Sequence, residues 1–293
     1  MALPIIFFHY GNPDYLKYTL KQARFYNPAS PMYLIGDKIN DRYPFLTHVN
    51  AADYDAETEA FAKVYKHLSP NDRQYELDCF LRWFYIRAFC KDKGIEAFVY
   101  LDSDVLAFQN LSDLVPMFKH CKIANNCYDT GSPAFTYFND YNTIADFCDY
   151  LIWSYTDKGA LVRIEDLYKS PGNISRFGGI SDMSLFHLYD LDHPGDTLKV
   201  DLVTDELAVD VSINRADGYE TRNGMKVVYW KSNQPYCKNV STGKLVRFAT
   251  LHYQGDSKRL IIKHYKGGGY LVDRWRDPLK AGIKKFKKSL RKR

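Results

Sequence analysis

The chain has 293 residues, long enough for one large α/β domain or two small ones with a sizeable core. Aromatic residues make up 16% of it, which disfavours disorder. The net charge of +5 is smaller than the eight positive charges between Lys280 and Arg293, so the body is slightly acidic and no nucleic-acid partner is expected.

Ile5 to Phe8 reads as a short apolar strand, followed by the turn-rich loop His9-Tyr10-Gly11-Asn12-Pro13. Asp14 stands where it would cap a helix running to Tyr26, with Tyr15, Leu16, Thr19, Leu20 and Ala23 on one face. Asn27-Pro28 ends that helix, and Met32 to Ile35 forms a second strand stopped by Gly36-Asp37. A β-α-β start of this kind opens its first loop over the C-terminal edge of the sheet, where a nucleotide commonly binds. The glycines are too few for a dinucleotide fingerprint.

Glu57 to His67 reads as a helix. Ser69-Pro70 reads as the cap and first position of a longer one, which Lys93-Gly94 stops. Leu77, Phe80, Leu81, Phe84, Ala88 and Phe89 give it a buried face. Arg82 lies among these apolar positions. It is either a stem snorkelling over the core or a fixed cation aimed at the mouth of the next strand.

The next strand is the centre of the chain: Ala97-Phe98-Val99-Tyr100-Leu101-Asp102-Ser103-Asp104-Val105-Leu106. The apolar run predicts a buried central strand. Two carboxylates at i and i+2 are too costly to bury unpaired, so they are expected at its C-terminal end. They are either two acids on a surface turn or oxygen ligands for a divalent cation shared with phosphates.

A short helix over Ser112–Phe118 follows, then a strand over Cys121–Ala124. The loop from Tyr128 to Phe135 leads into an aromatic strand, and a helix runs from about Tyr141 to Tyr155. Pro171 to Gly179 is glycine-rich and flexible. A helix then starts at Ser181 or Asp182, with Asp182 either a cap, a site acid or both. Residues 190–235 are polar and turn-rich, with Met225 to Trp230 a candidate strand. Leu245 to Tyr253 is a clearer strand, running into His252-Tyr253-Gln254-Gly255-Asp256-Ser257-Lys258. Gly255 permits close approach of a ligand, Lys258 supplies a point charge for a phosphate, and His252 with the two acids would favour Mn²⁺ somewhat over Mg²⁺.

Taken together, a strand ending in Asp-x-Asp, a later acid at a helix start and a C-terminal His-x-x-Gly-x-x-Lys resemble the GT-A fold of nucleotide-sugar glycosyltransferases. The last element is similar to the His-x-x-Gly-x-x-Lys-Pro-Trp motif of glycosyltransferase family eight, with Arg259-Leu260 in place of Pro-Trp. The two motifs stand about 150 residues apart, and the resemblance spans about residues 4 to 265. It implies a mixed, mostly parallel α/β sheet flanked by helices. It implies one domain over 1–275, with a nucleotide-binding half to about 125 and an acceptor-side half after it. It also implies a hexosyltransferase-type enzyme that moves a sugar from a nucleotide-sugar, a UDP-sugar, to a glycan or lipid-linked acceptor hydroxyl.

The same resemblance assigns roles. Asp102, Asp104 and His252 would ligate the cation, Mn²⁺ in preference to Mg²⁺. His9, Tyr10, Gly11, Asn12, Asp37, Arg82, Asp102, Ser103, Gly255 and Lys258 would bind the donor, with Gly255 and Lys258 on its diphosphate. Asp182 and Arg82 would be catalytic. The family's Asp-Gln-Asp reads Ile180-Ser181-Asp182 here, so Asp182 matches only the last acid and the stereochemical outcome is open. The rival readings are a sugar-1-phosphate nucleotidyltransferase, which wants a glycine-rich basic loop near the N-terminus, and a non-catalytic sugar- or membrane-binding protein.

Residues 276–293 form a basic tail in which Ile283, Phe286 and Leu290 make a sparse apolar stripe. It is either a helix lying on anionic lipid or a solvated terminus. The six cysteines include no Cys-x-x-Cys pair and read as reduced thiols. No basic leader precedes the first strand and no apolar run is long enough to span a bilayer. A cytoplasmic protein docked on the inner membrane surface is the expectation.

Overall fold

The computed structural model describes residues 2–118, 120–127, 131–170 and 179–268. The basic tail from 276 and the glycine-rich stretch 171–178 lie outside them.

The apolar N-terminal run forms β1 (Ile5–His9), which leads through α1 (Leu16–Tyr26) to β2 (Met32–Gly36) and β3 (Thr47–Asn50). Next come α2 (Glu59–Val64), α3 (Arg73–Lys93), β4 (Phe98–Asp102) and β5 (Val105–Ala107). The middle of the chain adds α4 (Val115–Phe118), β6 (Ile123–Asn125), β7 (Phe135–Phe138), α5 (Tyr141–Thr156), α6 (Lys158–Lys169) and α7 (Asp182–Asp192). The last part is mostly short strands: β8 (Thr197–Lys199), β9 (Leu207–Val209), β10 (Thr221–Arg222), β11 (Met225–Lys226), β12 (Tyr229–Lys231), β13 (Gln234–Lys238) and β14 (Leu245–His252), then α8 (Ile261–His264).

Seven strands make the central sheet in the order β3-β2-β1-β4-β7-β6-β8. The first four are parallel, β7 runs against β4 and β6, and β8 is parallel to β6. Strand alternation then sorts the side chains. Ile6 and Tyr100 face the cluster built with α3, α5 and α7, while Ile5, Phe7, Val99 and Leu101 face the cluster that takes in α1. A second sheet, β12-β13-β14-β5 with β9 beside β14, packs its own cluster around Phe108, Phe248 and Leu251. Helix α1 sits between the sheets: Leu16, Leu20 and Ala23 pack with the first and Tyr18 with the second.

The mixed, mostly parallel sheet flanked by helices is the architecture expected. Several local expectations change. The central apolar run is two strands in two sheets. It leaves β4 at Asp102, turns at Ser103 and Asp104, and enters β5 paired with β14. Helix α3 starts at Arg73, because Asp72 Oδ1 accepts the amides of Gln74 at 2.9 Å and Tyr75 at 3.0 Å. Ser69 instead donates to Glu76 at 3.0 Å. Gly94 ends α3 as expected, at a positive φ of 61°. Asp14 makes no cap for α1, whose N-terminal flank is Tyr15 without a side-chain cap bond. Of Glu57 to His67 only Glu59–Val64 is α-helical, after a 3-10 turn over Ala51–Glu57. Met225 to Trp230 divides between β11 and β12, which belong to different sheets. All six cysteines are free thiols, five of them buried. No helix among the described residues is long and apolar enough to cross a membrane.

Candidate functional site

Strand β4 runs parallel to β1 with Asp102 beside Phe8, so the loop after β1 and the turn after β4 share one edge of the sheet. Ser103 Oγ and His9 Nδ1 share a hydrogen bond of 2.9 Å across that edge. Thr19 on α1 donates to the Ser103 carbonyl at 2.7 Å and holds the turn from below. The two carboxylates of the turn meet different neighbours.

Asp102 faces α3. Arg82 Nη1 donates to Asp102 Oδ1 at 2.8 Å and to the Tyr100 hydroxyl at 2.9 Å, and Tyr100 in turn donates to Asp102. Arg82 Nη2 donates to Asp182 Oδ2, which also accepts Trp83 Nε1–H at 2.9 Å. Arg82 is a buried cation here, which decides against a side chain snorkelling to solvent. Burial works against its charge, but Asp182, Tyr100 and Asp102 outweigh that and hold the guanidinium well above its ordinary pKa. Arg82 Nε is buried and has no acceptor among the described residues. Asp182 starts α7 just after Ser181, as the sequence suggested, and is 2% exposed.

Asp104 faces the second sheet. β14 pairs with β5 so that His252 lies opposite Val105, and the Tyr253 amide donates to the Asp104 carbonyl at 3.1 Å. Asp104 Oδ1 is 3.4 Å from His252 Nε2 and Oδ2 is 3.1 Å from Lys258 Nζ. Burial alone would raise the Asp104 pKa, but His252 and Lys258 outweigh it and lower it. The same contact works in reverse on His252: burial would lower its pKa, and Asp104 lifts it to about 9. Gly255, at a φ of 56°, opens a 3-10 turn over Gly255–Leu260 that swings Lys258 back to Asp104. Lys258 is 37% exposed and lies 5.3 Å from the centre of the Tyr15 ring. Burial and the nearby Lys258 hold His9 below the usual histidine pKa.

One ligand atom each from Asp102, Asp104 and His252 lies within 4.8 Å of the other two. Two carboxylate oxygens and an imidazole nitrogen suit a divalent first-row cation, with room for oxygens of a ligand. The set fits the metal that the sequence pattern implies.

The remaining donor-side residues divide. Gly11 N–H donates to Asp37 Oδ2 at 2.8 Å, and Asp37 Oδ1 accepts from Ile39 N at 3.1 Å, so Asp37 is used in shaping the loop. Asn12 Oδ1 accepts the Tyr43 hydroxyl. Tyr10 is 39% exposed and stands edge-on to Phe8 at 5.0 Å. Sequence reasoning passes over Tyr100, Trp83 and Tyr15. Tyr100 had a usable signal: it shares the strand face of Asp102 two residues later. Trp83 and Tyr15 carried none, because their partners are distant in sequence.

No family model and no curated protein matches the sequence. Solved structures do. A galactosyltransferase, LgtC, in complex with donor and acceptor sugar analogs is 13% identical with a TM-score of 0.51, covering 92% of this chain and 94% of that one. The apo form of mouse xyloside xylosyltransferase 1 is 11% identical with a TM-score of 0.48, covering 71% of this chain and 87% of that one. At such identity the likeness to the galactosyltransferase shows the fold alone, and that fold is GT-A.

Proposed function

We propose that the chain is a metal-dependent glycosyltransferase that moves a sugar from a nucleotide-sugar, a UDP-sugar, to a glycan or lipid-linked hydroxyl. The observation that carries this reading is the Asp102, Asp104 and His252 cluster with Lys258 against Asp104 at the sheet's C-terminal edge. That is where open α/β sheets bind ligands. The galactosyltransferase with the same fold was solved with donor and acceptor sugar analogs, which agrees. The His252 to Lys258 element, the part similar to glycosyltransferase family eight, supplies two of the four groups.

Transfer breaks the bond between the anomeric carbon and the diphosphate, and negative charge develops on the leaving phosphate. Asp102, Asp104 and His252 would hold Mn²⁺, in preference to Mg²⁺ because of the imidazole, and the cation would supply Lewis-acid neutralisation of that charge. Lys258 adds a half-exposed ammonium next to Asp104, placed for a phosphate oxygen. Gly255 has open space where a side chain would stand, so the diphosphate can approach the backbone. The loop His9 to Asn12, fixed at Gly11 by Asp37, would receive base and ribose, with Ser103 tied to His9. Arg82 is held from both sides by Asp102 and Asp182.

Asp182 is a poor base for the acceptor. It is 2% exposed, and its Oδ2 already accepts Arg82 and Trp83. Its surroundings support a role in orienting Arg82, which fits a reaction in which the leaving phosphate takes the acceptor proton. The nucleotidyltransferase alternative lacks a glycine-rich basic loop in residues 9–13. Docking on an anionic membrane through residues 280–293 rests on sequence alone.

The test is UDP release from a panel of UDP-sugars with Mn²⁺. Release that stops in EDTA and in Asp104→Ala is the expected result. Release that persists in either sinks the metal mechanism, and the absence of both release and nucleotide binding favours a non-catalytic protein.

A further inference from the structure

We infer that Lys226 and Asp210 are positioning residues for His252: a buried ion-pair lock sets where the imidazole stands and thereby how tightly the site holds a divalent cation. The inference rests on the metal reading of Asp102, Asp104 and His252. It comes from the 190–240 segment, which the sequence left almost blank.

An imidazole that ligates through one nitrogen is fixed by what its other atoms bond to. His252 is fixed at three points. Its Nδ1 shares a 2.7 Å hydrogen bond with the Val211 carbonyl. Its backbone N–H donates to Asp210 Oδ2 at 3.1 Å. Its carbonyl accepts from the Ile213 amide at 2.9 Å. All three partners lie between residues 210 and 213, just after β9. The pairing of β14 with β5 places the His252 backbone, and the 210–213 segment fixes how the ring turns Nε2 toward Asp104.

The segment is held in turn by one lysine on β11. Lys226 Nζ donates to Asp210 Oδ1 at 2.8 Å, to the Ser212 carbonyl at 2.7 Å and to Asp217 Oδ2 at 2.8 Å. An ammonium has three donors, and these acceptors use them all. The Lys226 amide also donates to the Ile213 carbonyl at 2.8 Å. The lysine side chain is 1% exposed and that of Asp210 is fully buried. Arg215 Nε donates to Asp217 Oδ1 at 3.0 Å, so two cations and two anions balance. The two carboxylate oxygens of Asp210 thus divide the work, with Oδ1 taking the lysine and Oδ2 the amide of His252.

A cavity of about 120 Å³ lies beside this lock, lined by Asp210, Val211, Asp217, Tyr219 and Lys226 among others. A buried ion pair is weak evidence for stability, because an apolar pair of similar volume often serves as well. Directional bonds that hold a ligating histidine are a better reason for this one. The pairing of β14 with β5 opposite Val105 also holds the His252 backbone, while the ring nitrogen Nδ1 is bonded by the 210–213 segment.

The experiment uses the full chain and Mn²⁺ alone, with free aqua-Mn²⁺ counted by electron paramagnetic resonance. Lys226→Met is expected to weaken Mn²⁺ binding by about 10- to 100-fold and to speed hydrogen exchange at the His252 amide. Asp210→Asn keeps one acceptor where the carboxylate has two, so it frees either the lysine or the His252 amide and is also expected to weaken Mn²⁺ binding. In a His252→Ala background Lys226→Met is expected to add no further loss, because the lysine acts through the histidine. Equal Mn²⁺ affinity in wild type and Lys226→Met, or an undiminished loss in the His252→Ala background, overturns the inference. Should Lys226→Met fail to fold, Asp210→Asn/Lys226→Met removes both buried charges and is read the same way. Wild-type protein that takes up no Mn²⁺ sinks the metal reading itself. The lock is then judged by His252 amide exchange alone, and unchanged protection in Lys226→Met overturns it.

Discussion

Asp102 and Asp104 stand two residues apart and lean on opposite walls. Asp102 leans on helices: Arg82 and Trp83 on α3 and Asp182 at the start of α7 close around it with Tyr100. Asp104 leans on the second sheet, where His252 ends β14 and Lys258 returns from the turn after it. The first wall is an ion cluster in which each charge already has a protein partner and Asp102 keeps 21% of its side chain exposed. The second is open at Lys258, and its carboxylate is drawn between a histidine and a lysine. One wall is built for rigidity and the other for ligand charge, and a single two-residue turn belongs to both.

The largest expected effect comes from emptying the turn on its open side. Asp104→Ala should lower Mn²⁺-dependent UDP release by at least about 10³-fold, since Lewis-acid stabilisation is worth several kcal/mol. The readout is initial rate against Mn²⁺ concentration. A small loss would mean that Asp102 alone suffices and the two walls are not distinct.

Arg82→Ala probes the first wall through stability. It leaves Asp182 buried against Trp83 without its cation, at a cost of about 3–5 kcal/mol. A melting curve should show it directly. Arg82→Met with Asp182→Asn should recover much of that loss, because Asp182 is then no longer a buried charge without a cation. Equal destabilisation in both would break the account of the wall as an ion cluster.

Lys258→Ala should do the reverse. It should weaken UDP binding by about 10- to 100-fold, the usual weight of a hydrogen bond to a charged group. The loss of stability should be smaller than in Arg82→Ala, since His252 stays beside Asp104 and Lys258 is itself partly exposed. Isothermal titration in Mn²⁺ separates the two outcomes.

The last effect concerns the support behind the open wall. His264 on α8 shares a 2.9 Å hydrogen bond with the Tyr253 hydroxyl, one residue after His252. Burial first, then Lys263 and Lys266, depress its pKa to about 4. Its folded value lies below its unfolded value of about 6.5. The contribution to stability is therefore fully present above about pH 6.5 and is lost as pH falls toward about 4, up to about 3 kcal/mol. His264→Gln should flatten that part of the stability curve between about pH 7 and 4.5 and leave the Asp102 wall untouched.

Elements whose pattern is local could be read from the chain alone. The apolar run before Asp102, the helical spacing of α3 with its Gly94 stop, the start of α7 near Ser181 and the strand ending at His252 all follow from burial period and capping chemistry. Asp102, Asp104, His252, Gly255 and Lys258 were legible because motif spacing reports them. Three things had to wait for the folded molecule: that the central run divides between two sheets, that Asp182 closes on Arg82, and that Lys226 stands behind His252. The strands that bring Lys226 there, β10 and β11, have two residues each, too few for a period to show. A long-range ion pair has no sequence signature, because its energy depends on distance and burial, and both are set by partners as far apart as Arg82 and Asp182.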